Sequence, residues 1–96
     1  MKRKFKVTFD GAGGYEGDAI IELDQTVIDV VDDDWRASLY PLYTPADIAE
    51  HIAYNLIVNN ARLTELDGWA NLSDDMARVI QYPDEVYDEL DAEEIE

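Results

Sequence analysis

The sequence predicts an α+β domain: an N-terminal antiparallel β-hairpin packed on two to four α-helices, with an acidic C-terminal tail. Three observations carry that expectation. Lys4-Phe5-Lys6-Val7-Thr8-Phe9 alternates polar and apolar residues, the period of a half-buried strand. A glycine-rich run separates it from a second strand-like segment. Two longer segments then place apolar residues at helical spacing.

In the first strand, Phe5, Val7 and Phe9 share one face. Asp10 to Gly17 reads as the hairpin loop, because its four glycines, Gly11, Gly13, Gly14 and Gly17, admit φ > 0 freely. Asp18 to Leu23 is the returning strand. Two strands alone are marginal in water and require helices to cover them.

The first helix is expected over Gln25 to Leu39, with Asp24 as its N-cap and Pro41 beyond its end. On a 100° wheel Val27, Ile28, Val31, Trp35 and Leu39 fall together, and Asp29, Asp32, Asp33 and Arg36 fall opposite. Asp32 and Arg36 have the spacing of a helical ion pair. Thr44-Pro45-Ala46-Asp47 is the sharpest local signal: an N-cap, a proline at the first helical position and an acid in the first turn. The helix that follows should run from Pro45 to Arg62. Ile48, Ile52, Leu56 and Leu63 line one side, and Tyr54, Ile57 and Val58 the other, which suits a central helix.

Leu63 to Trp69 reads as a tight connection with Gly68 at positive φ. Ser73 should cap a short third helix through Asp74 and Asp75, with Met76, Val79 and Ile80 as its stripe and Pro83 as its stop. Residues 1–83 form one expected domain. Residues 84–96 hold eight acids and no base, and read as a frayed acidic tail, although Val86, Tyr87 and Leu90 offer a helical stripe.

Composition narrows the function. The chain has 96 residues, enough for one core, and no cysteine, which excludes thiol catalysis, disulfide scaffolds and cysteine metal sites. Neither a secretory h-region nor a membrane-length apolar run is present, so a cytoplasmic protein is expected. The sequon Asn71-Leu72-Ser73 is then coincidental. A net charge of −16 opposes direct binding to nucleic acid or an anionic membrane.

Motifs add little chemistry. The glycine run lacks the G-K-[S/T] ending of a phosphate loop, and Glu16 and Asp18 would repel phosphate. His51, the one histidine, has Asp47 and Asn55 a turn away, but no nucleophile or second ligand accompanies it, so a helix-packing or surface histidine is expected. Asp29 with Asp32-Asp33-Asp34 lacks the ligand spacing of a calcium loop. The expectation is therefore a non-enzymatic protein without metal or cofactor.

What remains is charge placement. Residues 1–9 hold four of the seven bases and no acid, and all 23 acids lie beyond them. A folded chain of this size exposes roughly 5,600 Å², or about one net charge per 350 Å². B-DNA carries roughly one per 100 Å². The acids match DNA only if they are concentrated locally. Mimicry of a phosphate backbone competes here with high-salt adaptation or plain solubility.

Small, cysteine-free, strongly acidic single domains of this kind resemble phage-encoded DNA-mimic inhibitors: anti-CRISPR and anti-restriction proteins and inhibitors of DNA glycosylase. The stretches Trp35-Arg36-Ala37-Ser38-Leu39-Tyr40-Pro41, Thr44 to Asn55 and Leu66-Asp67-Gly68-Trp69 are also similar to small phage or mobile-element proteins. The mimic resemblance is one of size and composition across the chain. It implies an inhibitor that occupies the basic nucleic-acid cleft of a host defence complex, a CRISPR effector above all, in the host cytoplasm. The residues expected to stand in for phosphates are Asp29, Asp32, Asp33, Glu50, Asp74, Asp75, Asp84, Glu85, Asp88 and Glu89. The alternative is a small accessory or interaction domain, dimeric through Tyr54, Ile57 and Val58.

Overall fold

The alternation in the first strand sets the architecture. In the computed structural model, which describes residues 1–10, 16–66, 68–69, 72–83, 86 and 89–95, β1 (Lys2–Asp10) is an interior strand of a four-stranded antiparallel sheet. It pairs with β2 (Glu16–Asp24) on one side and β4 (Glu89–Glu94) on the other. β3 (Ala77–Gln81) pairs with β2, so the order is β3-β2-β1-β4. Phe5, Val7 and Phe9 are fully buried, as are Ala19, Ile21 and Leu23 opposite or beside them. Each large apolar side chain so buried contributes about 1.5–3 kcal/mol. The hairpin register closes at Asp10 and Glu16; the glycines from Gly11 to Gly14 lie outside the described residues.

Helices cover the apolar face. Asp24 caps α1 (Gln25–Asp29), its carboxylate accepting from the Thr26 amide and hydroxyl. α2 spans Asp33–Ser38 and α3 spans Pro45–Ala53. The expected single helix from Gln25 to Leu39 is therefore two short ones. Asp32 breaks it: its backbone is extended (φ −112°, ψ −171°) and its carboxylate accepts from the Trp35 amide, starting α2 anew. Aspartate competes with the helix in this way because its short side chain reaches nearby amides. Val27, Ile28, Val31 and Trp35 still reach the core, whereas Leu39 is exposed. Arg36 pairs with Asp33 at 3.1 Å, not with Asp32, and its Nε donates to the Leu42 carbonyl.

Thr44 caps α3 through a full capping box with Asp47, and Pro45 occupies the first turn. Ile48, Ala49, Ile52 and Ala53 bury its inner face. The helix runs on as one π-helical turn, Tyr54–Val58, and stops short of Arg62. Asn60, at φ +54°, turns the chain there; asparagine tolerates this region better than most residues.

Two further expectations are overturned. Residues from Ser73 form no helix: Met76 and Ala77 donate to the Ser73 carbonyl in a turn, and Ala77 onward is β3. The β-branched pair Val79-Ile80 suits the sheet, and the open edge of β2 supplies partners that a short isolated helix would lack. The acidic C-terminus is likewise not a frayed or helical tail, because Glu89–Glu94 is a strand on β1. Leu90 and Ala92 stand opposite Phe9 and Val7. Like-charge repulsion is relieved by the basic strand beside them, where Arg3 grips Glu94 with two hydrogen bonds of 2.6 Å. No helix among the described residues is long and apolar enough to cross a membrane.

The connection into β3 closes on an aromatic group. Gly68 has φ +98°, as expected, and its carbonyl accepts from Trp35 Nε1 at 3.0 Å. Trp69 Nε1 donates to the Val27 carbonyl at 2.9 Å, and the two indoles are 5.0 Å apart.

Candidate partner-binding surface

The sheet gathers the bases. In an antiparallel sheet, residues directly opposite share a face. Lys2, Lys4 and Lys6 therefore stand on the face away from the helices, beside Asp24, Glu22 and Glu93. Lys2 lies 3.8 Å from Asp24, Lys6 4.0 Å from Asp18, and Arg78 of β3 bonds Glu22 at 3.0 Å. Met1 Nα approaches Asp24 at 3.4 Å. Apart from Arg36–Asp33, every ion pair among the described residues lies on this sheet or at its end.

Several of the other acids make no ion pair among the described residues. Asp29, Asp32, Asp74 and Asp75 are exposed and have no ion pair among the described residues. Their roles differ. Asp32 is a helix cap, and Asp29 accepts from Gln25 at 2.9 Å. Asp33 is occupied by Arg36. Asp74 and Asp75 lie in the turn before β3, on one edge of the sheet, whereas Glu89 lies on β4, the other edge. Asp74 and Asp75 are thus separated from Glu89 by the width of the sheet. Asp84, Glu85 and Asp88 lie outside the described residues.

The structure brings one group together at the α3–β4 edge. A cavity of about 310 Å³ is lined by Pro41, Leu42, Asp47, Glu50, His51, Tyr54 and Leu90. Helical spacing places Asp47, Glu50 and Tyr54 in line, and packing of α3 on β4 closes the wall with Leu90. Asp47 is committed, its Oδ2 accepting from the Tyr43 and Thr44 amides. Glu50 is half-buried and makes no hydrogen bond or ion pair among the described residues. Burial, reinforced by Asp47 and Asp91 nearby, holds its carboxyl above the usual range. Asp91, on the same strand as Leu90, is not among the acids the sequence singles out for a partner, and neither is Asp47, which the sequence places in the first turn of α3 and one turn from His51. The like-charged i,i+3 pair Asp47–Glu50 was the available signal.

His51 lines the same cavity and packs among aromatic rings. Its ring lies 4.3 Å from that of Tyr40 and 6.2 Å from Trp69, beside the Asn55 amide. Among the described residues no group of three or more histidines, cysteines or acids is arranged to hold a metal ion. Comparison with protein-family models, curated proteins and solved structures finds no match.

Proposed function

We propose that this chain is a phage or mobile-element inhibitor that occupies the basic nucleic-acid surface of a host defence complex as a DNA mimic. A CRISPR effector is the target class that its resemblance favours. One observation supports the reading: the sheet holds four of the seven bases, Lys2, Arg3, Lys6 and Arg78, in ion pairs, whereas Asp29, Asp32, Glu50, Asp74 and Asp75 have none among the described residues. Averaged over 5790 Å², sixteen net charges amount to about one per 360 Å², sparser than DNA. Segregation raises the density where the bases are absent, as mimicry requires. Such a field steers a basic partner from a distance and weakens with salt.

The test is charge reversal at acids that neither cap a helix nor hold an ion pair. Glu89→Lys with Asp91→Lys and Asp75→Lys should abolish exclusion of DNA from the target while the far-UV spectrum and melting remain those of the folded chain. Undiminished exclusion by the folded triple variant would contradict the proposal. The alternative, an accessory domain that dimerises through Tyr54, Ile57 and Val58, draws on a smaller face than the wheel suggests. Ile57 and Val58 pack half-buried on the core, and Tyr54 alone is exposed.

A further inference from the structure

We infer that the cavity between α3, the loop before it and β4 is a receptor for one arginine side chain of the partner, with Glu50 as its anion. The inference deepens the proposed function and rests on it for the identity of the partner, since a surface built to hold nucleic acid presents arginine. The site itself stands on geometry. Its volume of about 310 Å³ is at the small end of ligand pockets, suited to a side chain and too small for a nucleotide with its phosphates.

The chemistry of the lining selects the occupant. Two carboxylates and His51 line the space; Asp47 is already spent on the amides of Tyr43 and Thr44, and His51 on its contacts with Tyr40 and Asn55. Glu50 is half-buried with no donor among the described residues, an arrangement that disfavours its charged form until a cation arrives. A guanidinium satisfies a carboxylate with two parallel hydrogen bonds, which an ammonium cannot do. Leu42 and Leu90 supply apolar wall for the aliphatic stem, and Tyr54 adds an aromatic side chain to the lining. An anion is refused by both carboxylates. A neutral apolar group would leave Glu50 buried deeper and still unpaired.

The experiment uses the full chain and an arginine capped at both ends as probe, followed by two-dimensional amide and side-chain NMR, with capped citrulline as the uncharged isostere. Saturable shifts confined to residues around Leu42, Glu50, Tyr54 and Leu90, absent with citrulline, are expected. Glu50→Gln should weaken the binding about tenfold or more. This variant should remain folded, since Glu50 has no hydrogen bond to lose among the described residues. The inference is overturned by an absence of saturable shifts, by shifts spread equally over Asp29 and Asp74, or by equal binding in Glu50→Gln. Pocket binding in a chain that fails to exclude DNA supports the inference and removes the functional reading. Exclusion of DNA with no arginine binding does the reverse.

Discussion

Replacing Gly68 with alanine tests the packing of the aromatic group from the smallest possible change. A Cβ at this position would lie 2.5, 2.6 and 2.7 Å from Cζ2, Nε1 and Cε2 of Trp35. Real Cβ atoms do not approach a ring this closely, so Trp35 or the backbone must shift. Trp35 is only 8 % exposed and sits against Trp69, and shifting it strains its hydrogen bond to the Gly68 carbonyl. Overpacking of this kind costs about 1–3 kcal/mol. The backbone adds to it, because φ +98° is a region that costs an L-residue about 1–2 kcal/mol. The expected loss is about 3 kcal/mol, which for a chain of this size lowers Tm by roughly 12–24 °C. Thermal and urea melts followed by tryptophan fluorescence read it directly. In a Trp35→Leu background the ring is gone, and Gly68→Ala should cost only the backbone part, about 1–2 kcal/mol. A loss below about 0.5 kcal/mol in the wild-type background, within the range of ordinary surface changes, would refute the reasoning.

Four other outcomes follow from the same geometry. Thr44→Ala removes one half of the α3 capping box and should lower stability by about 1 kcal/mol in chemical denaturation. Glu50→Gln should stabilise the chain at neutral pH. The Glu50 carboxyl is raised in the folded state by burial and by Asp47 and Asp91, so folding weakens as pH rises from its ordinary value of 4.5 through the folded one. The gap between variant and wild type should therefore close below the ordinary value, and a constant gap across that window would contradict it. Asp24 has the opposite sign: hydrogen bonds from Thr26 hold it down to about 2, so its contribution is complete above the usual carboxylate range and fades as pH falls toward 2. Asp24→Asn should flatten that acid limb. Hydrogen exchange distinguishes the fourth strand from a tail, since the Ile95 amide donates to the Lys4 carbonyl at 3.0 Å and should be protected, whereas exchange at the rate of an unstructured chain would remove β4.

Local chemistry was the most legible part of the fold. The Phe5-Val7-Phe9 face, the Thr44-Pro45 helix start, the Asp24 cap and the positive φ of Gly68 each follow from a residue and its immediate neighbours. The errors came where a distant partner decides. Met76, Val79 and Ile80 fit a helical stripe, but the free edge of β2 offers their segment a ladder. Glu89 to Glu94 reads as solvated charge until Arg3 and the apolar face of β1 are set beside it. The Asp32 break was closer to hand, since three consecutive aspartates compete with a helix for its amides. The candidate site shows the same division. Asp47, Glu50 and Tyr54 lie at helical spacing in the sequence, but the cavity exists only because Leu90 of β4 closes its wall. The segregation of charge depends on strand register, which no single segment encodes.

The proposal is that acids without an ion pair among the described residues take the place of nucleic acid on a basic surface. It is tested most directly by measuring DNA binding to a panel of DNA-recognition complexes, CRISPR effectors included, with the chain as competitor at low and at high salt. At least one complex should lose DNA as the chain binds, with mutually exclusive occupancy and an inhibition constant that weakens steeply as salt rises. A chain that binds such a complex while DNA still enters, or whose inhibition is indifferent to salt, would contradict it.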